Sequence, residues 1–292
     1  MAHDAQVAVR SRTMSGLDAL ELAGRDTAGS RGRRLWAGTW PKLLAVGIFV
    51  LIWQCVVWSG LKEQYVLPPP LDVWRELWEV QFPKAEFWTG LSVTLRRAVV
   101  GFALATAIGL VLGVAVARIK VLRAAIGSMI TALQTMPSIA WFPLAILLFQ
   151  LTESAIQFVV VLGAAPSIAN GVIAGVDYVP PLLLRAGRNI GARGLDLYRY
   201  VIAPASLPAI VAGLKQGWAF AWRSLMAGEL LVIIPGVPSL GAQLNFAREF
   251  NDASWVLSMM LAVFVIGVVV DVLFSAADRA VRRRWGVVDA NA

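Results

Sequence analysis

Hydrophobic positions along this chain fall in long runs unbroken by charge. Nineteen uncharged residues lie between Lys42 and Lys62, 20 between Arg97 and Arg118, 29 between Arg123 and Glu153, 23 between Glu153 and Asp177, and 18 between Asp252 and Asp271. A helix needs roughly 20 mostly apolar residues to cross the hydrocarbon of a bilayer, so five spans follow directly. A sixth run, about residues 209–234, is apolar but carries Lys215, Arg223 and Glu229. Runs of this length without strict alternation predict helices, not the short alternating strands of a membrane barrel. The expected spans are about 43–61, 98–117, 124–149, 155–176, 209–234 and 253–275.

Finer patterning sets the connections. Pro68, Pro69 and Pro70 stop the chain after span one, and Leu71, Trp74, Leu77 and Trp78 then recur on one helical face. That predicts a short amphipathic helix at the outer interface, with tryptophan at headgroup depth. Span two carries Gly101, Ala105, Gly109, Gly113 and Ala117 at four-residue spacing, a small-residue stripe that lets another helix approach closely. Packing inside the subunit and packing between copies are both open. Span three contains TMPSIAWFP, where Pro137 and Pro143 each remove a backbone donor. A bent or broken helix follows, facing protein or a cavity, with Gln134, Met136, Ser138 and Trp141 at the break.

Span five is the chemically unusual one. A charge at the bilayer centre costs roughly 2.5–3.5 kcal/mol and faces a bundle interior or water. Lys215 is close enough to one end to snorkel; Arg223 is not. Glu229 is six residues beyond Arg223, about 120° around the helix, so the two are poor direct partners. With Trp222, these residues form a candidate translocation pathway of positive character, suited to an anion; pairing with another helix or ordered water is the structural alternative. The segment PGVPSLGAQLNFAREF between spans five and six either gates an exit, receives an external protein or is an ordinary connection.

Composition agrees with the spans: 58% of the 292 residues are hydrophobic and the mean hydropathy is +0.70, too apolar for a soluble domain. The net charge of +8 is explained by its distribution. With the N-terminus inside, seven Lys and Arg precede span one, three lie in the 118–123 loop, four between 185 and 199, and four after span six. The opposite loops hold Lys62, Arg75, Lys84 and Arg248, with Arg96 and Arg97 at the mouth of span two. This is the positive-inside bias of a six-span protein with both ends cytoplasmic, and it leaves no case for nucleic acid. Cys55 has no partner in the chain, the only His is His3, and no metal-ligand, nucleophile or paired-carboxylate pattern occurs in the spans, so no catalytic or metal residues are expected. No phosphate-binding loop occurs; the chain lacks even a Gly-Lys dipeptide.

The remaining segment is RAGRNIGARGLDLYRYVIAPASLP, residues 185–208. Pro180-Pro181 end span four and suit the first turn of a new helix. LLLRAGRNI reads as a short helix ended by Gly191, and Gly194 opens a second, LDLYRYVI, halted at Pro204. Leu195, Tyr198 and Ile202 make one apolar stripe on it, with Asp196 and Arg199 off the stripe. The product is a rigid cytoplasmic knuckle with a shape for docking.

This segment resembles the motif of permease subunits of ATP-binding-cassette (ABC) importers: E-A-A, three residues, G, nine residues, I-x-L-P. Arg185-Ala186-Gly187, Gly191 and Val201-Ile202-Ala203-Pro204 fit that spacing without gaps. It departs at the leading Glu, which is Arg185, and at the Leu, which is Ala203; no ion pair of that Glu is carried over. LPPPLDVW, TLRRAVVGFALATAIGLVLG, MPSIAWFPLAILLF, AWRSLMAGEL and LNFAREF are similar, in order, to the nitrate, sulfonate, taurine and bicarbonate branch, over about residues 65–285. The resemblance implies an all-α membrane protein with the type I ABC importer permease fold. The chain then divides into a cytoplasmic tail (1–35), polar, rich in Gly, Ser, Ala and Arg and expected to be mobile, a six-helix permease domain (36–285) with a coupling insert (180–204), and a C-terminal tail (286–292).

It also implies partners: a second copy of the permease, two ATPase subunits that hold ATP and Mg, and an external solute-binding protein, all at the inner membrane of a bacterium. No cofactor is bound by the chain itself, which is not an enzyme. Arg185, Ala186, Gly187, Arg188, Gly191, Gly194, Leu195, Tyr198, Arg199 and Pro204 are then the residues coupled to the ATPase. The solute is small and anionic or zwitterionic. A secondary transporter without an ATPase is the alternative, since it too uses broken helices and buried charges; a membrane-embedded enzyme is a distant third.

Overall fold

The computed structural model describes residues 31–284, with side chains described from Thr39 to Arg282, and all regular structure among them is helical. The expected tails lie outside the described residues, except for residues 31–35, which are already helical. The chain divides at Gln64 into two units. The first contains α1 (Arg31–Trp58), whose stretch Thr39–Trp58 is long and apolar enough to cross a membrane.

The second unit begins at Tyr65. It runs through α2 (Pro70–Arg75, extended by a π-helical turn Glu76–Gln81), α3 (Ala85–Arg118), α4 (Lys120–Thr135), a 3-10 turn (Ser138–Trp141), α5 (Phe142–Phe149) and α6 (Glu153–Asp177). There follow α7 (Pro181–Asn189), α8 (Leu195–Leu197, extended by a π-helical turn Tyr198–Ile202), α9 (Ala203–Leu231), α10 (Leu240–Glu249) and α11 (Ala253–Arg284). Five helical stretches among the described residues are long and apolar enough to cross a membrane. The expected third span is a pair, Lys120–Thr135 and Ser138–Phe149, bent by 106°; as one crossing it makes six.

The break follows from Met136-Pro137. A residue before proline is driven out of the αR region, and Met136 is extended at φ −76°, ψ 127°. Gln134, two residues before Met136, is not left alone: Asn170 of α6 donates to Gln134 Oε1 at 2.9 Å.

α6 is the central helix, packed along α3 and α9, and Ile156, Val159, Ile168 and Val172 on it are fully enclosed. Lipid tails are as apolar as leucine, so close packing rather than water exclusion holds such helices together. The stripe on α3 does this work within the subunit. A Cβ on Gly109 would lie 2.8 Å from the Ala165 carbonyl, and one on Gly113 2.7 Å from Val172. Between α6 and α9 the approach is backbone to backbone: a Cβ on Gly171 would lie 2.6 Å from the Gly213 Cα. Of the two packing partners open for the stripe, the same chain supplies one.

The amphipathic helix after the prolines is present, but its stripe divides. Leu77 turns inward with Val73, while Trp74 and Trp78 are exposed and stack with ring centroids 6.0 Å apart.

One expected stop does not occur. The helix passes through Pro204, so an apolar helical stretch runs from Leu195 to Leu231. The π-helical turn explains this: the Ala203 amide donates five residues back to Tyr198, and Pro204 falls in the first turn of α9, where no donor is required.

Candidate functional site

Two polar constructions stand out, and they differ in kind. The first is the knuckle. α7 ends in a Schellman closure: the Ala192 amide donates to the Gly187 carbonyl at 2.9 Å and the Gly191 amide to the Arg188 carbonyl at 3.1 Å. Gly191 sits at φ +92° and Gly194 at φ +54°, ψ −120°, both conformations that disfavour a side chain. The arms touch at Gly187, where a Cβ would lie 2.8 Å from Val201 Cγ2 and 3.1 Å from Leu197. Val179, Leu197 and Ile202 form a small core beneath.

Of the apolar stripe expected on this docking shape, Leu195 is 72% exposed, whereas Ile202 is buried together with Leu197. The π-helical turn shifts the helical phase here, which regular spacing does not anticipate. Leu182, Ile190 and Tyr200 are exposed as well, Ile190 at 86%. Arg185, Ala186, Arg188 and Arg199 are exposed, and none of these arginines joins an ion pair among the described residues. A rigid, positively charged body thus presents apolar side chains that the described residues do not cover.

The second construction is closed. Arg97 of α3 grips Glu153 of α6 with two bonds, Nε to Oε2 at 2.8 Å and Nη2 to Oε1 at 2.5 Å, and reaches Glu229 of α9 with Nη1 at 3.0 Å. Glu229 is fully buried and also accepts from Thr94 Oγ1 at 2.9 Å and from the Gly241 amide at 3.1 Å. Thr94 Oγ1 in turn accepts from the Leu240 amide at 3.0 Å. The Ser239 side chain accepts from the Ala242 amide and caps α10. The carboxylate of Glu229 therefore ties three long helices to the first turn of α10, whose Leu240, Gly241 and Asn245 are buried. The loop after span five is more than a simple connection.

Sequence reading missed this network. Arg97 and Glu153 were visible only as boundaries of uncharged runs. The usable signal was depth: α3 enters, α6 begins and α9 ends on the same side, which puts Arg97, Glu153 and Glu229 at one level.

The pathway candidates separate accordingly. Glu229 is locked in the network, away from Arg223. Arg223 is exposed, held by its Nε to the Ala219 carbonyl at 3.0 Å and lying 4.7 Å over the Phe220 ring. Trp222 and Arg223 share a groove of about 590 Å³ between α9 and α11 with Trp218, Met226, Phe264 and Asp271. Lys215 donates to Ser275 Oγ at 2.7 Å and lies 3.6 Å from Asp271. Gln134, Met136, Ser138 and Trp141 stay together at the helix break, with Trp141 and Ser138 half-buried and Met136 exposed.

The chain has known counterparts. Residues 105–283 match the family described as binding-protein-dependent transport system inner membrane component. The chain belongs to that family. The permease is 26% identical over 238 residues to the taurine transport system permease protein TauC of Escherichia coli, covering 80% of this chain and 86% of that one. It is 25% identical over 238 residues to the nitrate import permease protein NrtB of Synechococcus elongatus, covering 78% and 84%. Likeness to the putative ABC transporter permease MJ0413 of Methanocaldococcus jannaschii is 31% over 179 residues, 61% of this chain and 66% of the archaeal one.

Among solved structures, a chain of the bacterial alginate ABC transporter aligns at TM-score 0.57 and 12% identity, covering 86% of this chain and 98% of that one. A chain of the MetNI methionine ABC transporter aligns at 0.55 and 21%, covering 67% and 96%. Both likenesses concern the fold, which is that of type I ABC importer permeases. This permease is a multi-pass, non-catalytic membrane subunit.

Proposed function

We propose that this permease is the membrane half of an ATP-driven importer for a small anionic or zwitterionic solute of the sulfonate, taurine, nitrate or bicarbonate type. The observation that carries this reading is the knuckle at 180–204, rigid at Gly191 and exposing Leu182, Ile190 and Leu195. Two ATPase subunits, which hold ATP and Mg, seat on the knuckles of two permease copies in the cytoplasm. Each Leu- or Ile-sized side chain buried there contributes on the order of 1.5–3 kcal/mol. Closure of the ATPase pair moves the knuckles as rigid bodies and rocks the bundle between inward and outward states.

The knuckle is continuous with α9 through the π-helical turn, so its displacement reaches Trp222 and Arg223 along one helix. That groove, with the broken span at Gln134, Met136, Ser138 and Trp141, lines the solute route where two copies meet. Arg223 supplies positive character, in keeping with the substrates named for the taurine and nitrate relatives. An external solute-binding protein delivers the solute in a bacterial inner membrane, with both termini cytoplasmic.

The test is purification of the full-length chain from membranes of its own host. An ATP-hydrolysing partner accompanies the native chain and is lost from Gly191→Val. Solute movement by the purified chain alone would instead establish a secondary transporter.

A further inference from the structure

Where α3 and α6 end and α9 begins, beside the knuckle, they line a cavity of about 290 Å³. Its floor is apolar: Val114 of α3, Val172 and Val176 of α6, and Ile210 of α9. Arg118 and Arg199 are its two charged lining residues, and no Asp or Glu lines it. The Arg118 guanidinium lies 3.9 Å over the Tyr198 ring, which fixes its position at the wall. Arg97, Arg123, Lys215 and Arg282 each have a carboxylate partner; among the described residues neither Arg118 nor Arg199 does.

We propose that this cavity is a binding site for an anionic phospholipid. The phosphate sits between Arg118 and Arg199, and part of an acyl chain lies on the valine floor. The floor decides between phosphate sources. Inorganic phosphate gains nothing from Val114, Val172 and Ile210 and loses hydration against them. An acyl chain suits a floor built from the knuckle-side turns of helices that cross the hydrocarbon, and basic pockets at that depth select anionic headgroups.

The space also has an origin in the sequence. Ala203 lines the cavity at the position where the importer motif carries leucine, so the side chain that would occupy the space stops at Cβ. A lipid here wedges between the knuckle and the ends of α3 and α6 and stiffens the joint. Its effect on coupling rests on the function proposed above; the binding itself does not.

The experiment is native mass spectrometry of the full-length protein, with whatever chains accompany it, titrated with phosphatidylglycerol or phosphatidylcholine. Two interfacial arginines predict roughly a tenfold to thirtyfold preference for phosphatidylglycerol. Arg118→Gln combined with Arg199→Gln abolishes the preference, whereas Arg193→Gln on the same knuckle, outside the cavity, leaves it. Ala203→Leu lowers phosphatidylglycerol occupancy about tenfold with both arginines intact, and it decides the matter if the double variant does not fold. Equal binding of the two lipids by the native chain, or a preference that survives Ala203→Leu, overturns the proposal. So does displacement of the lipid by millimolar inorganic phosphate, which assigns the site to a free anion. Loss of lipid whenever an ATP-hydrolysing partner is bound overturns it too, by assigning the cavity to a protein contact.

Discussion

The knuckle and the Arg97 network use the same residue types to opposite ends. In the network, one arginine, two glutamates and a threonine satisfy one another and two backbone amides, with Arg97 3% exposed and Glu229 fully buried. In the knuckle, Arg185, Arg188 and Arg199 have no carboxylate among the described residues, and Ile190 and Leu195 stand uncovered on a backbone fixed by Gly191 and Gly194. The difference teaches where each element completes its interactions. A group satisfied inside the chain serves the fold of one subunit. A rigid element whose apolar and charged groups are left open is shaped for another molecule.

Substitution can break this contrast at its strong end first. Arg97→Gln leaves the Glu229 carboxylate buried without its cation, which costs on the order of 3–5 kcal/mol. Thermal unfolding in detergent should show a large fall, and adding Glu229→Gln should recover most of it. Additive losses would mean that the pair is not coupled.

Gly191→Val forces a branched side chain into a left-handed conformation, worth roughly 1–2 kcal/mol of local strain. The melting temperature should fall far less than for Arg97→Gln, while retention of an ATP-hydrolysing partner is lost. Ile190→Ser sharpens the contrast further: stability stays within about 0.5 kcal/mol, and partner affinity, read from a titration with the purified ATPase, drops about tenfold or more. Smallest in stability is Arg223→Gln, exposed on its groove. It should leave unfolding unchanged and lower solute-stimulated ATP hydrolysis, measured in reconstituted vesicles with the delivery protein present.

Much of the fold was legible because lipid simplifies the code. Runs without charge mark crossings, and Met136-Pro137 marks the break. Gly191 at the required spacing marks the corner, and small residues on α3 mark a close approach. The misreadings have physical reasons. Proline was read as a stop at 204, but a π-helical turn supplies an alternative hydrogen bond to Tyr198 and shifts the phase, which parts the exposed Leu195 from the buried Ile202 of the same stripe. For Glu229, grouped with Arg223 on one span, pairing with another helix was left open, and its partners Arg97 and Thr94 do come from far along the chain. Helical spacing reports neighbours on one helix; it does not report which helix lies opposite.

The central claim is that an ATP-hydrolysing partner seats on the knuckle from the cytoplasm. The most direct measurement is site-directed cross-linking of Ile190→Cys in a Cys55→Ser background, carried out in native membranes with a short bifunctional thiol reagent. The account predicts a covalent adduct with the ATPase and no labelling by an impermeant thiol reagent added from outside. Labelling of that position from the outer face, with no ATPase adduct, would contradict it.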